Sequence, residues 1–347
     1  MPTYFKYTHM AVLFKGVNTV EKKYDYKKAK MDWHELNVSN EADIPLYMKD
    51  WYWDAVCDST DEWKVICIYS EEGEIEAAFP FLYTKRKGLW FIELPWQVSY
   101  AGIWLRNKDI SNKEKALKYL NENVKAIVES LPYYDYFHVT FGDSLWTWHP
   151  FYWLGYDARP TYTSIICADR SDIKKSVTYG RRKNINRAEK KYKILIDNIS
   201  VEQYWNLFEQ SYDTRGKKIS HVKNKFINFV EILKQHDSCE IRTAIDENEN
   251  IVAINIFLID SKKYYHQFGT QLAGCKDATS FIIYNGIKAC IDTKRNFDFE
   301  GSMIQGVCEF NVSWNPEFET HYVITKSSRK YRILNLIRQI FRDKRNS

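Results

Sequence analysis

Two periods of hydrophobic spacing alternate along the chain. Apolar residues dominate Trp63–Tyr69, a charged turn follows at Glu71–Glu74, and Ile75–Tyr83 is again apolar, a pattern that predicts a β-hairpin. Gly88–Leu94 predicts a third strand, which Pro95 breaks before the irregular stretch Trp96–Gly102. Ser111 and Glu114 have the spacing of a helix capping box. Leu117, Leu120, Val124, Ile127, Val128 and Leu131 then recur at helical spacing until Pro132. Tyr136–Phe141 predicts another strand.

The second half repeats this order. Cys239–Ile245 and Ile251–Ile259 predict a hairpin around Asp246–Asn250, Tyr264–Thr270 a third strand and Ala278–Ile291 a helix. A shift of 176 positions superimposes the two hairpins without a gap, placing Glu71 on Glu247, Ile75 on Ile251, Ala77 on Ala253, Phe81 on Phe257 and Leu82 on Leu258. The repeat predicts an α/β (α+β) protein of two tandem lobes, each a mixed, mostly antiparallel sheet flanked by helices. The boundaries expected are an N-terminal extension over 1–30, a first lobe over 31–158, a second over 159–327 and a basic amphipathic tail over 328–347, with the lobes joined near Tyr156–Pro160.

Length and composition agree with two lobes. At 347 residues the chain is long enough for about two domains. With 45% hydrophobic and 27% charged residues it is neither disordered, collagen-like nor a coiled-coil rod. The 50 Lys and Arg exceed the 45 Asp and Glu by only 5, which argues against a surface that is basic throughout but leaves room for a local basic patch. Seven scattered cysteines without a CxxC predict free thiols in a reducing compartment. No apolar run approaches the roughly 18 residues of a membrane span, and Met10–Phe14 is too short for a secretory signal, so a cytoplasmic location is expected.

Chemistry concentrates in a few segments. Ser171–Lys193 carries Lys174, Lys175, Arg181, Arg182, Lys183, Arg187, Lys190, Lys191 and Lys193 against Asp172 and Glu189. Such a helix either grips phosphates, with Arg181, Arg182, Lys183 and Arg187 as the binding set, or is a solvated surface helix. Arg215, at the end of a helix over Val201–Thr214, is either a further phosphate contact or part of a cationic C-cap with Gly216. After Tyr264 and Tyr265 the chain passes His266, Gly269, Gln271, Gly274 and Lys276 into a helix start, a junction whose backbone N–H groups suit an anion. His266 is there a general base or a packed strand histidine.

Phe297-Asp-Phe-Glu-Gly-Ser-Met303 places Asp298 and Glu300 on one side of a strand, with Gly301 permitting a sharp turn and Ser302 following. Glu300 either takes a proton from a substrate amine or caps the next helix. Ser328–Ser347 is basic and amphipathic, suited to an anionic membrane surface or, the reading favoured, to docking on the body of the protein. No H-E-x-x-H, G-x-S-x-G, Walker A or paired Cys/His spacing occurs, so neither a metal site nor a serine hydrolase is expected.

The chain resembles the FemAB-like branch of the GNAT superfamily, including proteins with a BioF2-like acetyltransferase domain, from about Pro45 to Thr325. Four strings carry the resemblance: Pro45–Cys57, Arg181–Lys190, Val252-Ala-Ile-Asn255 with Tyr264-Tyr265, and Phe297–Met303 with Gly306–Phe310. It implies two GNAT-like lobes around a cleft and transfer of an acyl group to an amine. The acyl donor would be acetyl-CoA or another acyl-CoA, with Gly269, Gln271, Gly274 and Lys276 at its pyrophosphate. The acceptor would be a small amine, an amino-sugar nucleotide or an envelope precursor. Glu300 or His266 would serve as base, Tyr264 or Tyr265 would protonate the departing thiolate, and Arg215, Asp298 and Ser302 would contact substrate. Gln271-Leu-Ala-Gly274 gives half of the GNAT phosphate loop, and Lys276 stands where its second small residue would be. The Fem alternative takes an amino acid from aminoacyl-tRNA, using a Phe-Lys pair that is here Phe310-Asn311.

Overall fold

A computed structural model describes residues 24–39, 42–57, 63–108, 110–142, 145–214, 219, 222–301 and 303–346. The first run of elements is α1 (Tyr26–Ser39), α2 (Asp50–Val56), β1 (Trp63–Tyr69), β2 (Ile75–Arg86), β3 (Leu89–Glu93), β4 (Trp104–Leu105), α3 (Lys113–Glu129), β5 (Tyr136–Phe141), α4 (His149–Trp153) and β6 (Asp157–Ile166). The second is α5 (Ile173–Ser176), α6 (Tyr179–Ala188), β7 (Lys193–Ile196), α7 (Val201–Asp213), α8 (Lys223–Gln235), β8 (Cys239–Ile245), β9 (Ile251–Ile259), β10 (Lys263–Gln271), α9 (Lys276–Asp292), β11 (Asn296–Asp298), α10 (Gln305–Val312) and β12 (Glu317–Ser327), followed by α11 (Arg329–Asn346).

The repeat is present down to strand register. β1 and β2 pair from Trp63↔Leu82 to Ile68↔Ala77, and a bulge precedes Tyr69↔Ile75. Shifted by 176, the same pairs are Cys239↔Leu258, Ala244↔Ala253 and Ile245↔Ile251 in β8 and β9, with the bulge in the same place. In each lobe the third strand then pairs in parallel with the strand after the long helix, β3 with β5 and β10 with β11.

The lobes exchange their last strands. One sheet runs β1-β2-β3-β5-β12-β6-β11-β10-β9-β8-β7, with β4 beside β2. β12, at the end of the second lobe, pairs with β5 of the first, and β6 crosses to β11 of the second. β12 and β6 pair with each other at the centre from Glu317↔Ile165 to Thr325↔Asp157. The order therefore reads the same from either end apart from β7 and β4. The boundary drawn at 158/159 falls inside β6, which the sequence pattern did not reveal. Pro160 is tolerated in this strand because β11 pairs only with Ile165 and Ile166, so Pro160 carries a ladder on the β12 side alone.

Strand alternation gives each sheet face its own core. On one face α1, α2, α7 and α8 share a core in which Trp33, Trp53, Tyr204, Trp205 and Phe229 meet, spanning both lobes. On the other face α9 packs Ile282 and Ile283 into a core with Phe257 and Phe297, and α3 packs Leu120 and Val124 into one with Phe79 and Phe137. The N-terminal boundary at residue 30 needs correction. Tyr24 donates to the Cys67 carbonyl (2.9 Å), Tyr26 donates to the Ser130 carbonyl (2.7 Å), and Ala29 is buried, so the fold includes Tyr24 onward. The α3 cap is Asn112, whose side chain accepts from the Lys115 N–H, and not the Ser111–Glu114 box.

Candidate functional site

The site lies where parallel strands part. β10 and β11 pair only through Tyr265↔Asp298, after which β11 ends and β10 continues to Gln271. The first lobe closes its equivalent gap with its own backbone: the Ala101 N–H donates to the Thr140 carbonyl and the Gly142 N–H to the Ala101 carbonyl, both at 2.9 Å. In the second lobe the chain instead turns sharply at Glu300, whose φ is +56°. A left-handed glutamate costs about 1 kcal/mol or more, and such strain clusters at functional positions. Gly301 follows because a Cβ there would lie 2.0 Å from the Tyr162 carbonyl oxygen. Glu300 does not cap the next helix; Ile304 occupies that N-cap, and its apolar side chain makes no capping hydrogen bond.

Both lobes hold the two carboxylates. The Tyr47 hydroxyl, from the 3₁₀ turn Leu46–Met48 of the first lobe, donates to Glu300 Oε1. The same hydroxyl lies 3.3 Å from Gln267 Oε1, while Gln267 Nε2 donates to Gln97 Oε1 at 2.7 Å. Tyr52, Tyr100 and Tyr265 surround the Tyr47 ring with centroids 5.1–5.5 Å away. Asp298 is fully buried; it accepts from the Thr163 hydroxyl, from the Tyr100 hydroxyl (3.3 Å) and from the Glu300 N–H (2.9 Å). Lys263 Nζ is 3.6 Å from both Asp298 Oδ2 and Glu319 Oε1, and His321 Nε2 is 3.1 Å from that same Glu319 oxygen.

These surroundings tune Glu300. Burial, then the nearby charge of Asp298, raise its pKa from 4.5 to about 7; hydrogen bonds from Ser99 and Tyr47 and the proximity of His321 limit the rise. A carboxyl of this kind exchanges a proton near neutral pH. Burial first, and the Glu300 charge next, hold Tyr47 well above the ordinary phenol range, so it remains a donor.

The sequence-predicted residues divide between the two faces. Tyr265 shares the face of Asp298 and Glu300, but its hydroxyl donates to Asp260 Oδ2 at 2.7 Å. Tyr264 and His266 belong to the opposite face. Tyr264 is buried in the α9 core, and its pKa is raised, chiefly by burial. His266 packs against Phe257, Phe297 and Phe299, with Nε2 2.9 Å from Asn255 Nδ2. Burial pushes its imidazole down to about 4, which makes it a neutral packed histidine.

At the α9 junction, Gly274 has φ +87° and Lys276 is exposed. The Gln271 side chain accepts from the Thr279 hydroxyl, and a Cβ at Gly269 would lie 3.0 Å from Asn255 Oδ1. The arginines of the basic helix bond to neighbouring elements, and Arg181 alone of them is buried. Arg181 is buried, donates to Ser280 (2.6 Å) and Ser313 (2.7 Å), and lies over the Phe310 ring at 4.1 Å. Arg182 donates to the Lys175 carbonyl, and Arg187 pairs with Asp277 at 2.8 Å. Lys183 stays exposed. Arg215 and Ser302 lie outside the described residues.

Sequence reasoning missed Tyr47, Tyr100, Thr163, Lys263 and His321. Tyr47 falls within the Pro45–Cys57 string, but nothing local connects it to a residue 253 positions away.

Two recesses approach this region. A cleft of about 810 Å³ reaches Lys263 and Tyr265 between walls that include Trp104, Arg106, Tyr119 and Trp146. An apolar groove of about 460 Å³ is lined by Tyr162, Met303, Cys308 and Phe318.

No family model and no curated protein matches the sequence. Solved structures do match the fold. FemX aligns at a TM-score of 0.62 with 12% identity, over 83% of this chain and 94% of its own. The chain shares the fold of FemX. L-PGS from Bacillus licheniformis aligns at 0.54 with 13% identity, over 92% of this chain and 98% of its own. The C-terminal domain of a protein assigned as lysylphosphatidylglycerol synthetase in Agrobacterium fabrum aligns at 0.54 with 10% identity, over 89% and 95%. Among the described residues no helix is long and apolar enough to cross a membrane.

Proposed function

We propose that the protein is an N-acyltransferase in which Glu300 accepts the proton of an acceptor amine. The observation that carries this reading is a carboxyl with a pKa of about 7, fixed in a left-handed turn where β10 and β11 part. The fold shared with FemX and with L-PGS supports group transfer but names neither donor nor acceptor.

The amine nitrogen attacks the acyl carbonyl, the bond from that carbonyl to the donor breaks, and the leaving group takes up the proton that the nitrogen sheds as the amide forms. An amine is a nucleophile only after losing its proton, which the ionised Glu300 takes. Tyr47 holds the carboxylate in place without competing for that proton. Asp298 keeps Glu300 basic by its charge and is itself held by Thr163, Tyr100 and Lys263.

The donor proposed is acetyl-CoA or a related acyl-CoA, with its pyrophosphate near Gly274 and the exposed Lys276. A Cβ built on Gly274 meets nothing within 4 Å, which leaves that backbone open to a ligand. The acceptor proposed is a small amine or an amino-sugar nucleotide that enters by the 810 Å³ cleft, which reaches Lys263 and Tyr265 beside Asp298. The alternative donor, aminoacyl-tRNA, is the one the Fem resemblance of the sequence implies, and the exposed Lys183, Lys190 and Lys191 suit its phosphates. Calorimetric titration with acetyl-CoA, CoA and a UDP-amino-sugar separates these readings. The acyl-CoA reading predicts micromolar binding of both CoA species. Binding of the nucleotide sugar alone rejects CoA as the donor and leaves charged tRNA as the one to test.

A further inference from the structure

The C-terminal helix presents an apolar stripe that the body of the protein does not cover. Its first turn is fixed to the first lobe: the Tyr331 ring stacks on Tyr136 with centroids 4.4 Å apart, and Lys330 Nζ donates to the Gly88 carbonyl at 2.9 Å. Beyond that turn the side chains of residues 332–340 are exposed. Ile333 is 60% exposed, Leu336 59%, Ile340 50% and Ile337 43%, and among the described residues none of the three core clusters includes a residue of α11. The docking on the body of the protein that the sequence favoured is therefore not what the structure shows.

These four residues fall within an arc of about 100° on a helix, and the exposed Arg332 and Arg338 lie on either side of that arc. The sequence of α11 holds Arg329, Lys330, Arg332, Arg338, Arg342, Lys344 and Arg345 against a single acid, Asp343. That imbalance selects the occupant. A second copy of the helix would set like charges beside one another, whereas an anionic lipid surface would neutralise them while receiving the apolar stripe.

We propose that α11 lies in the plane of an anionic bilayer, with Ile333, Leu336, Ile337 and Ile340 inserted at the level of the headgroups and Arg332 and Arg338 on lipid phosphates. The helix then holds the protein at a membrane surface without spanning it. This proposal is independent of the acyl-transfer reading.

The test is co-sedimentation of the full chain with phosphatidylcholine vesicles, with and without phosphatidylglycerol, over a salt series. The wild type should sediment with the anionic vesicles, release as salt rises and leave the neutral vesicles largely unbound. The I333E/I337E variant should lose affinity about tenfold or more, and R332E/R338E about 25-fold for each reversed charge, since a reversal changes the charge by two. Because all four positions are exposed, both variants should keep the wild-type circular dichroism spectrum. Two results would overturn the proposal: equal sedimentation of the wild type and I333E/I337E, or absence of vesicle binding together with a dimer in light scattering that I333E/I337E dissociates.

Discussion

At the scale of the residue, Glu300 combines a backbone and a side chain that are each costly unless used. Its carboxyl has a pKa of about 7 in the fold against 4.5 in the open chain, so the folded protein holds that proton more tightly than the unfolded one. The contribution of this group to stability is therefore most favourable below pH 4.5, declines as pH rises from 4.5 to 7, and is flat above. Replacing Glu300 by Gln should remove that decline. Urea unfolding of both proteins across this range measures it, and parallel curves would contradict the assignment. Of this arrangement the sequence disclosed the two carboxylates and the glycine after them, because Asp298, Glu300 and Gly301 are neighbours. It could not disclose Tyr47 or Tyr100, which reach the carboxylates only through tertiary packing.

At the scale of the element, helix α6 shows how a charge count misleads. Nine basic residues between Lys174 and Lys193 read as a phosphate grip, yet Arg181, Arg182 and Arg187 hold the helix to its neighbours. Burial without a carboxylate among its hydrogen-bond partners lowers the Arg181 pKa to about 10, and two serines and two aromatic rings offset the desolvation. Arg181→Ala should cost about 2–4 kcal/mol by thermal or denaturant unfolding, since it leaves Ser280 and Ser313 without their donor and empties the space over Phe310 and Trp314. A change below about 0.5 kcal/mol would return Arg181 to the ligand-binding set.

The hairpins were legible because their turns and apolar runs are local. β6 and β12 were not. Pro160 and Arg159 interrupt one, Glu317 and Glu319 begin the other, and each finds its partner in the opposite half of the chain.

At the scale of the whole molecule, the exchange of β6 and β12 explains why the site draws on both halves. The crossing brings Thr163 beside Asp298 and sets Glu319 and His321 next to Lys263, while the first lobe supplies Tyr47, Ser99 and Tyr100 from above. The near-palindromic sheet has one parting filled by the Ala101–Phe141 bridge, whereas the other leads into the turn at Glu300. That difference between otherwise matching lobes sets the carboxylate turn in the second lobe.

The central claim is that Glu300 is the base of an amine acylation. It is tested most directly by thiol release from acetyl-CoA in the presence of a panel of primary amines and amino-sugar nucleotides, followed against pH for the wild type and Glu300→Gln. Amine-dependent release is expected, with kcat/KM rising with pH through an apparent pKa near 7, and the variant should lose about 100-fold or more with its fold intact. Equal rates for the two proteins, or no amine-dependent release by the wild type at any pH, would contradict it.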